Sequence, residues 1–235
     1  MKLENYLKWF NLEDVLNIEK NEAQFLALQK SWNKINNTDQ KTKFIQAVLQ
    51  NALISYQLSW TWEDWWGEFW VWISKKINIA KLENWKKFLY NSKNNKRLLE
   101  IKIKRLDKSK TILDLLSNEE SIYDYYQNMY DLNKDIAKIM NQKEDAKTVV
   151  FATKMFAYAC RIAFNKIIIY PYEISIPIDS RIEKIYYRHK QDKASKKQIK
   201  CFFDQLSRES KIPPLHLDSL LWVDYWYKFI KNSWK

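Results

Sequence analysis

Three short segments of this chain carry residue types that could do chemistry together. In the first, DAKTVVFATKM at 145–155, Lys147 and Phe151 stand four residues apart. A helix puts two such residues on one face. The positive end of a helix dipole and an aromatic wall both disfavour an ammonium there, and an uncharged lysine is the nucleophile of Schiff-base chemistry. In the second, IPIDSR at 176–181, Asp179 stands where a helix begins. Backbone N–H groups hold a carboxylate at that position, which suits an anion that steadies a developing cation. In the third, PPLHLDSLLW at 213–222, Asp218 and Trp222 are again four apart. A carboxylate beside an aromatic plate suits the polar edge of a base stacked on that plate. Each segment also has a plainer reading: Lys147 as one more solvated lysine, Asp179 as a helix cap, and Asp218 as a surface acid beside a buried tryptophan.

The elements that must position these residues are helical by their periodicity. Glu22 to Ile35 carries Phe25, Leu26 and Leu28 as an apolar stripe. Asp39 opens a second run, through Phe44, Val48, Ala52, Ile54 and Tyr56, ahead of Leu58. Glu63 opens a tryptophan-rich helix ending near Ile77, and Leu82 to Tyr90, Lys96 to Leu116 and Ile122 to Met140 follow as further helices. Asp145 is expected to cap the helix that carries Lys147 and ends near Asn165. Ile167 to Ile178 is β-branched and holds Pro171 and Pro177, so it reads as an extended, ordered loop. Asp179 then caps a helix to Lys190. The basic stretch Lys193 to Lys200 leads into a helix over Cys201 to Arg208, and Pro213 and Pro214 open a last helix to Ile230. The expectation is an all-α protein, one compact domain of two helical lobes flanking a cleft. A hairpin element falls at 122–165 and a catalytic loop at 166–181, and polar Asn91 to Lys96 is a candidate turn between the lobes.

Composition removes whole classes of function. The 235 residues include one glycine, Gly67. A Walker loop, a dinucleotide fingerprint and a nucleophile elbow each need two or more. Two cysteines and two histidines (Cys160, Cys201, His189, His216) are too few for a disulfide framework or the common zinc motifs. Met1 to Phe10 has no apolar run fit for a signal peptide, and no stretch approaches a membrane span. An intracellular protein with reduced thiols is expected, off the membrane. Forty Lys and Arg against 28 Asp and Glu give a net charge of +12, which favours a polyanionic partner. Aromatic residues are 16% of the chain, and six tryptophans fall between Trp60 and Trp72. Basic and aromatic together is the make-up of surfaces that stack bases and hold phosphates, although most of the tryptophans belong to a core.

Together the three segments resemble the archaeal GO glycosylases, a branch of the helix–hairpin–helix superfamily of DNA glycosylases with AP-lyase activity. The likeness is carried by KTVVF from Lys147, MFAY from Met155, YPYEI from Tyr170, IPIDSR from Ile176 and PPLHLDSLLW from Pro213. Ahead of them AQF from Ala23, SYQL from Ser55 and WWGEF from Trp65 also fit, in the family's order. The spacing of 32 from Lys147 to Asp179 suits this branch as well. The resemblance implies that Lys147 is the Schiff-base nucleophile and Asp179 the catalytic carboxylate. It implies that Phe151 and Trp222 sandwich an extruded 8-oxoguanine while Asp218 binds its Watson–Crick edge. Gln24, with Gln29 as rival, would reach the base beside Ser55, and one of the Trp65–Trp66 pair, by preference Trp66, would donate its indole N–H. Gln142, Lys143 and Arg181 would meet the DNA backbone. The implied partner is double-stranded DNA bearing 8-oxoguanine, bound by a monomer, with no cofactor and no metal. Two departures stand out. The turn before Lys147, Met140 to Asp145, lacks the glycine usual in this hairpin, and Trp60 and Trp62 occupy places expected of smaller residues. A helix–hairpin–helix glycosylase for another lesion, a catalytically silent helical nucleic-acid-binding protein and a membrane-surface protein using Lys96 to Leu116 are the alternatives.

Overall fold

The structure, a computed structural model, describes residues 2–35, 40–75, 78–79, 81–190 and 192–230. Asp39 and Ile77, the expected helix ends, lie outside them. All regular structure among the described residues is helical. In chain order the helices are α1 (Leu3–Leu7), α2 (Leu12–Lys20), α3 (Ala23–Ile35), α4 (Lys41–Ile54), α5 (Trp62–Ile73), α6 (Leu82–Asn91) and α7 (Leu99–Leu115). They continue with α8 (Glu119–Gln127), α9 (Met129–Met140), α10 (Lys147–Phe164), α11 (Ser180–Lys190), α12 (Lys196–Ser210) and α13 (Pro214–Leu220), which runs into a π-helix at Leu221–Ile230.

The chain forms two compact units. Unit 2 is the continuous stretch Ala23–Ile168. Its centre is α10 against α4, and both are buried on nearly every face, α4 without a break from Ala47 to Ile54. A helix apolar all round has no solvent side to present, so it goes to the middle. Helices α3, α7, α8 and α9 pack around this pair. The tryptophan-rich α5 meets α6 through an aromatic cluster in which Trp72 stacks on Phe88 at 4.5 Å and Phe69 on Trp85 at 6.0 Å.

Unit 1 joins the two ends of the chain, Met1–Glu22 and Ile169–Lys235. Leu3, Tyr6 and Val15 from the N-terminal helices share a core with Ile182, Phe203 and Leu220. A buried polar cluster ties the two ends together. His216 Nδ1 lies 2.7 Å from Glu19 Oε1, Ser219 Oγ donates to the same oxygen at 3.2 Å, and the Tyr170 N–H donates to His216 Nε2 at 3.2 Å. Nε2 therefore acts as an acceptor, and Nδ1 carries the hydrogen that faces Glu19. Tyr6 O–H also donates to Asp224 across the unit.

Several boundaries differ from the periodicity reading. Asp145 is not the cap of α10; Ala146 holds that position, with no side-chain cap bond. The expected helix over 122–140 is two helices, because Asn128 leaves helical geometry (φ −118°, ψ 55°) and its side-chain amide returns to Asp124 O. Leu98, at φ 57°, delays α7 to Leu99. The basic stretch at 193–200 is mostly helix: Ser195 and Gln198 form a capping box, which starts α12 five residues ahead of Cys201. Helix α4 ends at Ile54, so Tyr56 lies in the loop that follows.

Candidate active site

Within unit 2, Lys147 is the first residue of α10 and is exposed to solvent; Phe151, one turn on, is half-buried. The turn that delivers them manages without glycine. Asn141 takes the left-handed conformation (φ 52°) that closes α9, a role asparagine fills more readily than most residues. The Gln142 N–H then donates to Ala137 O at 2.8 Å, Thr148 Oγ1 donates to Gln142 Oε1 at 2.8 Å, and Asn133 Nδ2 donates to Glu144 O at 3.0 Å. Thr153 Oγ1 in turn donates to Asn133 Oδ1 at 3.0 Å, so the turn is pinned to the body of α10. Gln142 is half-buried and Lys143 exposed on this turn.

Between α3 and α5 lies a cavity of about 670 Å³. Gln24, Trp62, Trp66, Gly67 and Trp70 line it. Gln29 is exposed on α3 and absent from its lining, so the geometry favours Gln24 of the two glutamines. It also separates the tryptophan pair. Trp65 Nε1 donates to Ser55 Oγ at 2.8 Å, and that hydroxyl donates on to Asn51 O at 2.6 Å. Trp66 Nε1 is buried with no hydrogen-bond partner among the described residues. The Trp70 Nε1 is buried and unpartnered in the same way, and both rings line the cavity; a buried donor without an acceptor is unfavourable by about 1–3 kcal/mol. Ser55 is therefore a brace for Trp65, and its hydroxyl is already engaged at both ends.

Trp62 is a residue the sequence reading left without a role. Its ring meets Phe151 edge-on, with centroids 4.7 Å apart, and it lines the same cavity as Gln24 and Trp66. The signal was present in the spacing, since Trp62 and Trp66 are four apart on one helix and share a face.

Within unit 1, Asp179 is the N-cap of α11. Its Oδ1 accepts the Arg181 N–H at 2.9 Å and the Ile182 N–H at 3.0 Å. Asp218 is buried on α13, and Trp222 follows in the first turn of the π-helix, half-buried. Arg181, a candidate contact to the DNA backbone, stands in the first turn of the helix that Asp179 caps. It lies over the Trp222 ring, its guanidinium carbon 3.4 Å from the centroid and 5.4 Å from that of Trp226. A guanidinium on an indole face is held by the ring quadrupole, so one face of Trp222 is taken and its orientation fixed from the helix that Asp179 caps. Wide-turn helices of this kind recur at functional sites.

An all-helical protein with a lysine opening a helix behind a hairpin turn, and with aromatic walls beside it, has the build of a DNA glycosylase. The N-glycosylase/DNA lyase family AGOG matches residues 4–233. An N-glycosylase/DNA lyase of Methanococcus maripaludis is 42% identical over 206 residues, 87% of this chain and 78% of the relative. Its counterpart in Methanopyrus kandleri is 35% identical over 224 residues, 95% of this chain and 88% of the relative. Among solved structures, the 8-oxoguanine DNA glycosylase of Pyrobaculum aerophilum, complexed with 8-oxoguanosine, matches with a TM-score of 0.78 at 25% identity, over 93% of this chain and 84% of that one. The chain belongs to the AGOG family and is a DNA-repair N-glycosylase/DNA lyase.

Proposed function

We propose that this enzyme removes 8-oxoguanine from double-stranded DNA and then nicks the strand, acting as a monomer. The observation that carries the reading is the cavity lined by Gln24 and by Trp66, whose buried N–H has no partner among the described residues. The oxidised base differs from guanine in bearing a hydrogen on N7 and an oxygen on C8. An amide oxygen from Gln24 aimed at N7–H would be left without a donor by guanine, which a buried site penalises. Trp66 donates to a carbonyl oxygen of the base. Within unit 2, Phe151, backed edge-on by Trp62, is a stacking plate for the base; the roles that the resemblance gives to unit 1 are stacking for Trp222, with Arg181 behind it, and the Watson–Crick edge for Asp218.

A base inside a duplex is out of reach, so the nucleotide is flipped at a cost of a few kcal/mol. Stacking returns roughly 1–3 kcal/mol per base. Lys147 Nζ, uncharged, attacks C1′ as the bond from C1′ to the base breaks and the base leaves with the electron pair. Asp179 steadies the cationic sugar and accepts the proton that the lysine sheds, which passes to the departing base. Opening of the sugar ring gives the Schiff base, and loss of a C2′ proton expels the 3′ phosphate by β-elimination. Lys143 and Gln142 lie on the turn ahead of α10 and suit contact with the DNA backbone.

The test is borohydride trapping on a duplex with one 8-oxoguanine, beside an undamaged duplex and the Lys147→Ala protein. We expect a covalent adduct only with both the lesion and Lys147. Base release without an adduct would remove Lys147 from its role; neither release nor adduct would remove 8-oxoguanine as the substrate.

A further inference from the structure

Trp60 is the most exposed large apolar side chain of unit 2, at 68%. A single exposed apolar residue is ordinary, but this one is held out on a braced loop. The Ser59 N–H donates to Asn94 O at 2.9 Å, and the Lys96 N–H donates back to Ser59 Oγ at 3.1 Å. Thr61, on the other side, caps α5 through the Asp64 N–H at 3.2 Å. The loop it is strapped to is itself fixed by Glu68. That carboxylate accepts from Ser92 Oγ and Asn94 Nδ2, both at 2.8 Å, and from the Lys93 N–H at 3.1 Å. A side chain presented this way loses little freedom when something docks on it.

Two further observations say what docks. The strapped loop carries Lys93, Lys96 and Arg97, all exposed, with no acid between Lys93 and Leu99. Of the acids around it, Glu68 accepts the loop hydrogen bonds just described, Asp64 accepts from Thr61 Oγ1 at 2.6 Å, and Glu100 accepts from Tyr90 Oη at 3.0 Å. An exposed indole beside a basic run is the combination that stacks a base while holding its phosphates. The second observation is position. Trp62, two residues on, stands against Phe151 at 4.7 Å, so Trp60 follows directly from the wall of the base site.

We infer that Trp60 is a further stacking plate, which takes the DNA base neighbouring the extruded one, and that Lys93, Lys96 and Arg97 hold the phosphates on that side. The inference rests on Phe151 as the plate for the extruded base.

The experiment is the affinity of the full chain for a duplex carrying one tetrahydrofuran abasic-site analogue, which cannot be cleaved, measured by anisotropy for wild type, Trp60→Ala, Trp60→Leu and Trp60→Phe. Trp60→Ala should bind roughly 5–150-fold more weakly, the range that stacking one base spans. Trp60→Leu should stay weak and Trp60→Phe should recover most of the loss. Binding by Trp60→Ala within twofold of wild type would overturn the inference, and so would rescue by leucine equal to that by phenylalanine. The underlying reading fails separately: a wild-type protein that binds the analogue no better than undamaged duplex has no lesion site for Trp60 to adjoin.

Discussion

Lys102 is wholly buried, and no carboxylate among the described residues pairs with it. Its Nζ donates to Asn95 Oδ1, and it shares the face of Tyr56 with Arg105, at 5.0 and 4.4 Å from the ring centre. Burial, with the charges of Arg105 and Arg97 added, lowers its pKa to about 8. Between pH 8 and the ordinary lysine value the unfolded chain binds more protons than the folded one, so stability rises with pH across that window. The gain attributable to Lys102 is about 3 kcal/mol from pH 7 to 10.5. Denaturant unfolding of Lys102→Met should lack this climb, and parallel curves for the two proteins would contradict it. The location ties the residue to function, because Asn95 also donates to Ile54 O at 3.2 Å and so supports the loop between the end of α4 and Trp60. A lysine at this place is indistinguishable in the sequence from its exposed neighbours on α7. Only its packing against Asn95 and the Tyr56 ring reveals it.

At the scale of elements, α5 carries Trp62 and Trp66, the tryptophans of the proposed base site, and Gly67 sits between them and Trp70. Glycine in a helix interior is less favourable than alanine by about 1 kcal/mol. A Cβ built at Gly67 meets nothing within 4 Å, so the fold itself does not require a bare backbone there. Gly67→Ala should raise the thermal midpoint by about 2–4 °C, and calorimetry showing no rise would mean the helix is limited elsewhere. Helices with strong amphipathic or apolar runs, α4, α6 and α10, were legible from periodicity. The breaks were less so. Asn128 and Leu98 interrupt runs that continue to look helical, since backbone geometry at one residue leaves no mark on a hydrophobic period. The helices of residues 2–22 were also unread, although Asn11 and Asp14 form a capping box there.

Over the whole molecule, a charge of +12 on 235 residues makes DNA affinity strongly salt-dependent. Each phosphate contact removed should reduce the slope of log K against log salt by about 0.9. Replacing Lys93, Lys96 and Arg97 together by alanine should therefore flatten it by about 2–3, read from titrations at several salt concentrations; an unchanged slope would take that loop out of the interface. The division into units has its own logic: the N-terminal 22 residues complete the core of the C-terminal unit, through Tyr6 with Asp224 and Glu19 with His216. Residue types and their order in the chain pointed to the family of this protein, because a lysine opening a helix, a capping aspartate and paired aromatics are local patterns whose combination survives without coordinates. They determined the helical class for the same reason. Only the tertiary structure decided which of two adjacent tryptophans has an unmet N–H, that Trp62 backs Phe151, and that Arg181 braces Trp222. Those depend on hydrogen-bond and ring partners 10, 89 and 41 residues away in the chain, a distance no local pattern spans.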